Sequence, residues 1–74
     1  MKANSAVRAA MKARGIGPTR LAERLGKPCR FVTDRMSREN IGIENVAELL
    51  RVMDYKIVVV PSDTKMQDDW FEID

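Results

Sequence analysis

The chain has no histidine and only one cysteine, Cys29, among its 74 residues. One cysteine cannot form an internal disulfide, and a zinc site needs several Cys or His ligands, so we expect neither a disulfide scaffold nor a bound metal. The sequence also has no nucleophile–base pair, no glycine-rich phosphate loop and no zinc-protease motif. We therefore expect no cofactor and no enzymatic activity.

Long apolar runs are also missing from the chain. The longest uninterrupted aliphatic stretch is residues 57–60, far short of the roughly 20 residues that span a membrane. The first fifteen residues alternate basic and small side chains, which is not the pattern of a signal peptide. We expect a cytoplasmic protein, and a chain of this length allows one domain, residues 1–74, with a small core.

Charge is spread unevenly along the chain, although the net charge is only +2. Residues 1–38 carry ten lysines and arginines against two acidic residues, whereas residues 39–74 carry three against nine. One interpretation is a basic face that binds a polyanion, with an acidic part turned away from it. The alternative is that solvated helix faces segregate by charge without any partner. The basic half also carries the motif described next, which favours the nucleic-acid interpretation.

Residues 18–36 predict two short helices, roughly 18–25 and 28–36, joined by a tight turn at Gly26. Glycine at that point can adopt the left-handed conformation that ends many helices. Apolar residues one helical turn apart give each helix a face for the core, and the second helix keeps a polar outer face. This is the layout of a helix-turn-helix, whose second helix lies in the major groove of DNA.

The apolar pattern elsewhere predicts two further helices, over residues 4–14 and from about Gly42 to Asp54. All four helices together would form the helical part of the domain, about residues 4–54. The sequence shows no internal repeat, linker or low-complexity segment. We therefore predict a mainly α domain that closes its core with the last helix.

The hydrophobic period changes to two in the C-terminal part of the chain. Residues 55–60 are rich in β-branched side chains, and Pro61 ends the run. Residues 70–73 are a second short strand candidate, so we predict a β-hairpin over about residues 55–73. An isolated hairpin is marginal in water, and it should therefore pack on the helices, pair with a second copy, or do both.

Three segments resemble the phage Cro and repressor family of helix-turn-helix proteins, also called Xre-like. They are LAERLGKP at residues 21–28, IENVAELL at residues 43–50, and YKIVVVP at residues 55–61. The resemblance implies a lambda-repressor-like bundle of four main helices with a C-terminal β-hairpin. It also implies a small transcriptional regulator, a repressor of phage or mobile-element origin. Such a protein binds specific sequences in double-stranded DNA, and small members often dimerise through the C-terminal strand.

Side chains on the outer face of the second motif helix are the candidates for reading DNA bases. Arginine can donate two hydrogen bonds to guanine, and threonine offers a hydroxyl or a methyl group, so Arg30 and Thr33 lead. Asp34 can accept a hydrogen bond from cytosine or can instead pair with Arg30 or Arg38 and orient it. The complete set of base-reading candidates is Cys29, Arg30, Thr33 and Asp34.

Contacts to DNA phosphates are expected from cationic and polar side chains near helix starts and loops. The candidates are Thr19, Arg20, Lys27, Arg35, Arg38 and Asn40. A solvated side chain is an equal alternative for Arg20. The chain departs from the family pattern at Pro18, where glutamine is common, and at Lys27 and Arg35, where apolar residues are expected. These departures leave open which side chains reach the bases.

The β-branched run is the candidate dimer interface, formed by Tyr55, Ile57, Val58, Val59 and Val60. A competing interpretation keeps the fold but gives it a protein partner, as in an antitoxin that binds a toxin. The acidic C-terminal segment would then be the binding surface. Replacing Arg30 with alanine separates the two, because it should impair DNA binding but not binding to a protein.

Overall fold

All 74 residues are described by the computed structural model, whose regular secondary structure consists of four α-helices and no strand. The helices are α1 (Ala3–Arg14), α2 (Pro18–Leu25), α3 (Cys29–Ser37) and α4 (Ile43–Arg51). The predicted mainly helical class is confirmed. The helix bounds differ from the predicted ones by at most three residues, the largest difference being at the end of α4, where residues 52–54 form a turn.

Two glycines end the first two helices in the left-handed conformation. Gly15 has φ 65° and closes α1, and Gly26 has φ 69° and closes α2. The backbone N–H of Lys27 then donates to the carbonyl of Ala22 at 3.0 Å, which satisfies one of the free acceptors at the end of α2. Pro18 occupies the first turn of α2, where its missing N–H removes no helical hydrogen bond.

Gly26→Ala should lower the free energy of unfolding by about 1–2 kcal/mol, because an L-residue is strained in the left-handed region. The space around a Cβ at this position is open, so the backbone conformation alone causes the loss. Gly26→Asn is the matched control, since asparagine tolerates this conformation and should retain more stability despite its larger side chain. Urea denaturation followed by circular dichroism measures both, and equal midpoints for the two variants would contradict the explanation.

The core is a single apolar cluster to which all four helices contribute, together with Ile16 and Ile41 from the loops. No polar or charged residue is buried. The largest fully buried side chains are those of Val7, Leu21, Val32, Val46, Leu49 and Met53. The helices are therefore positioned by hydrophobic packing, and the polar faces of α2 and α3 are left free for solvent.

The predicted C-terminal β-hairpin over residues 55–73 is wrong. Residues 56–60 make no backbone–backbone hydrogen bond, and the Trp70 N–H bonds locally to the carbonyl of Gln67. The apolar side chains of Tyr55, Ile57 and Phe71 pack against the helical core. These side chains contact the helices individually, and a local turn uses the Trp70 N–H. Residues 55–60 and residues 70–73 therefore do not form a hydrogen-bonded ladder.

The C-terminal segment ends beside the start of the chain. The Asp74 N–H donates to the Met1 carbonyl at 3.1 Å, and the N-terminal ammonium donates to the Glu72 carbonyl at 3.1 Å. The ammonium also pairs with the Asp74 carboxylate. Its hydrogen bond and, to a lesser extent, its charge lower the pKa of the Asp74 carboxyl below the usual value. Residues 55–74 thus cross from the end of α4 to the start of α1.

Candidate nucleic-acid interface

The candidate interface is built on α2 and α3, which pack against each other across a three-residue connection, residues 26–28. Leu21 and Ala22 are the buried residues of α2, and Val32 and Met36 are those of α3. Since these positions lie on the inner faces of the two helices, the opposite face of α3 is directed to solvent.

All four base-reading candidates are exposed on this outer face of α3. The Arg30 side chain is 89% exposed and the Asp34 side chain 62% exposed, and Arg30 Nε lies 3.9 Å from Asp34 Oδ2. The Thr33 hydroxyl donates to the Arg30 carbonyl at 3.3 Å. The structure therefore places these three residues within about one turn of α3, and the long Arg30–Asp34 contact leaves the guanidinium free to bind elsewhere.

The first turns of α2 and α3 lie side by side. Cys29 Sγ, in the first turn of α3, is 3.7 Å from Thr19 Oγ1, in the first turn of α2. Neither first turn contains an acidic residue, and neither helix has a side-chain cap. Two helix N-termini with free N–H groups and positive dipole ends therefore face the same region, which suits a phosphate.

Most of the phosphate candidates are exposed, namely Thr19, Arg20, Lys27, Arg38 and Asn40. None of their cationic groups forms an ion pair with a carboxylate. The Lys27 ammonium lies 5.6 Å from the centre of the Phe31 ring, at the turn between the two helices. These cations are consequently free to neutralise an external anion.

Arg35 has a different environment from the other phosphate candidates. Its guanidinium lies over the Phe31 ring, 3.5 Å from the ring centre, and its Nε donates to Asn45 Oδ1 at 3.3 Å. Arg35 is half-buried and connects α3 to α4. The stack on Phe31 gives the guanidinium of Arg35 an apolar contact. A phosphate contact by Arg35 stays a prediction.

Sequence reasoning missed two side chains of α1 that bind the C-terminal end of α3. Arg8 Nη2 donates to the Met36 carbonyl at 3.1 Å, and Asn4 Nδ2 donates to the Arg38 carbonyl at 3.0 Å. Both satisfy carbonyls that a helix end leaves without partners. The available signal was the four-residue spacing of Asn4, Arg8 and Lys12, which places three polar side chains on one face of α1.

The five dimer candidates fall into two groups. Tyr55 and Ile57 are half-buried against their own core. The Arg14 guanidinium lies over the Tyr55 ring, 4.6 Å from its centre, and the centre of the Phe71 ring is 6.0 Å away. Val58, Val59 and Val60 are exposed, Val59 to 97%. A largely apolar groove of about 1050 Å³ lies between this C-terminal segment and helices α1 and α4. The exposed valines are therefore the part available to a partner.

Three further findings concern the chain as a whole. No group of Cys, Asp and Glu side chains is arranged to hold a metal ion. None of the four helices is long and apolar enough to cross a membrane. Comparison with family models, with curated proteins and with solved structures finds no match to the chain.

Proposed function

We propose that the protein is a small transcriptional regulator that binds specific sequences in double-stranded DNA. In this proposal α2 and α3 are a lambda-repressor-like helix-turn-helix, and α3 enters the major groove. One observation carries the proposal: α3 exposes Arg30, Thr33 and Asp34 on one face, beside two helix N-termini that contain no acidic residue. Base-reading groups flanked by unpaired positive charge are what a groove-binding helix requires.

Each candidate has a definite part in the proposed complex. Arg30 donates two hydrogen bonds to guanine O6 and N7, and Thr33 contacts a neighbouring base edge. Asp34, whose Oδ2 lies 3.9 Å from Arg30 Nε, orients the guanidinium along the helix face while leaving it free to bind the base. Thr19 and the exposed cations at both ends of α3 bind phosphates and fix the helix in the groove.

The proposed DNA-binding form is a homodimer that pairs through residues 55–60. Support comes from the backbone of residues 56–60, which has no hydrogen-bond partner within the chain, and from the exposed side chains of Val58, Val59 and Val60. The same segment of a second copy, placed antiparallel, would supply both backbone partners and apolar contact. Dimers of this kind read two half-sites about one helical turn of DNA apart.

Binding is tested first by fluorescence anisotropy with a labelled 30-base-pair duplex at several salt concentrations. Each neutralised phosphate should add roughly 0.9 to the slope of log affinity against log salt. Replacing Arg20, Lys27 and Arg38 together by alanine should therefore reduce the slope by about 2–3 for each bound chain. Absence of binding by the unaltered protein at low salt would overturn the proposal.

Arg30→Ala should weaken binding to a selected site by about 1–3 kcal/mol, or roughly 5- to 150-fold, because a bidentate contact to guanine is lost. Binding to unrelated DNA should change much less, since only one charge is removed. Arg51→Ala is the matched control, because it removes an exposed arginine from the last turn of α4. Equal losses on selected and unrelated DNA would contradict a base-reading role.

The second candidate function is binding to a protein, as by an antitoxin. It is favoured by the exposed apolar side chains of the C-terminal segment, Val58, Val59, Val60, Met66, Trp70 and Ile73. Residues 61–74 also carry five acidic residues and one lysine, which suits a basic partner surface. If the unaltered protein fails to bind DNA at low salt, capture of a basic partner by this surface becomes the leading proposal.

A further inference from the structure

The exposed polar face of α1 lies alongside the C-terminal end of α3. Arg8 is exposed, and the only hydrogen bond of its side chain is the one to the Met36 carbonyl, at 3.1 Å. It forms no ion pair with a carboxylate. A guanidinium has five N–H donors, so most of the Arg8 donors and its full charge remain available next to α3.

Lys12 extends this positive face by one helical turn. It lies four residues after Arg8 on α1 and therefore on the same side of the helix. Lys12 is exposed and has neither a hydrogen bond to another side chain nor an ion pair. α1 contains no acidic residue that could neutralise either cation.

Arg8 lies at the end of α3 that follows the base-reading candidates. Met36, whose carbonyl binds Arg8, is six residues after Arg30 on α3. At 1.5 Å per residue, these positions are about 9 Å apart along the helix axis. In a major groove about 12 Å wide, the bordering phosphates lie about 6 Å to either side of the centre. A cation that α1 carries beside the end of α3 is therefore placed toward one of these borders when Arg30 reads a base inside the groove.

From these observations we infer that α1 is part of the DNA interface, with Arg8 and Lys12 each binding a backbone phosphate. The inference rests on the proposed function and extends its phosphate contacts from α2 and α3 to a third helix. Arg8 thus has two roles, since it caps the carbonyl end of α3 and also meets the phosphate beside that end. Its contact with Met36 holds the guanidinium in place before DNA binds, which reduces the ordering that binding requires.

Glutamine substitutions separate the phosphate role from the capping role. Arg8→Gln removes the charge but keeps an amide that can donate to the Met36 carbonyl, and Lys12→Gln removes a charge that has no partner within the protein. Each should reduce the slope of log affinity against log salt by about 0.9, and the double variant by about 1.8, for each bound chain. Lys65→Gln is the control for net charge, because Lys65 is exposed in the acidic C-terminal segment. For this variant the slope of log affinity against log salt should equal that of the unaltered protein.

Slopes for Arg8→Gln and Lys12→Gln equal to that of Lys65→Gln would overturn the inference while leaving the proposed function intact. Absence of binding by the unaltered protein would instead overturn both. A thermal melt of each variant shows whether it folds. Should Arg8→Gln fail to fold, Lys12→Gln decides the matter alone, because the fold makes no use of the Lys12 ammonium.

Discussion

Leu49→Ala should leave the protein largely unfolded at room temperature. Leu49 on α4 is completely buried among the core residues, and such a truncation removes about 2–5 kcal/mol through lost burial and the cavity that remains. A domain of this size rarely has more than about 3–5 kcal/mol of stability in total. Circular dichroism and urea denaturation should show a helical signal that is reduced even without denaturant.

Ile43→Ala is the matched control for Leu49→Ala. Both residues are on α4 and both substitutions shorten a branched aliphatic side chain, but Ile43 is 69% exposed. Its truncation should change the free energy of unfolding by no more than about 0.5 kcal/mol. If the two variants unfold at the same urea concentration, α4 does not pack on the core through the face that the structure shows.

Val59→Asp should convert the proposed dimer into a monomer and weaken binding to a two-half-site operator by about 10²–10⁴-fold. Joining two DNA-binding units raises the affinity for a two-half-site operator by a factor of that order, and the gain is lost when the units separate. The introduced carboxylate would have to leave water and enter the apolar contact between the two copies, which opposes pairing. Analytical ultracentrifugation measures the mass, and anisotropy measures the affinity.

The exposure of Val59 makes this experiment selective for the interface. Because the side chain is 97% exposed, Val59→Asp should leave the thermal midpoint of the monomer unchanged. Val59→Thr is the matched control, since threonine is β-branched, similar in size and uncharged, and it should still dimerise. A monomeric unaltered protein on DNA, or a Val59→Asp variant that remains a dimer, would show that residues 55–60 do not pair.

Helix positions could be predicted from the sequence because their signals are local. Gly15 and Gly26 stand where a left-handed residue ends a helix, and Pro18 stands where one begins. The exposed face of α3 followed from helical spacing in the same way. The stack of Arg35 on Phe31 was also accessible, because the two residues are four positions apart on one helix.

The β-hairpin could not be assessed from local signals alone. A β-branched run shows that residues 55–60 suit a strand, but a strand forms only where a partner is in register. The contacts of Tyr55 with Arg14 and Phe71 link distant parts of the chain and place no second strand beside residues 56–60. The cap that Arg8 makes on Met36, 28 residues away, is likewise a tertiary contact: the four-residue spacing on α1 indicates a polar face but not the helix end that this face meets.

The unpaired backbone of residues 56–60 also bears on aggregation. Exposed β-branched residues with free N–H and C=O groups are the elements from which fibrils grow, because each added strand presents a new edge to the next. Here Lys56 places a charge before the run and Pro61, which has no N–H, follows it. Four aliphatic residues lie between them, fewer than the roughly six or seven that cross-β stacking requires. A flanking charge and a flanking proline of this kind oppose an open-ended stack.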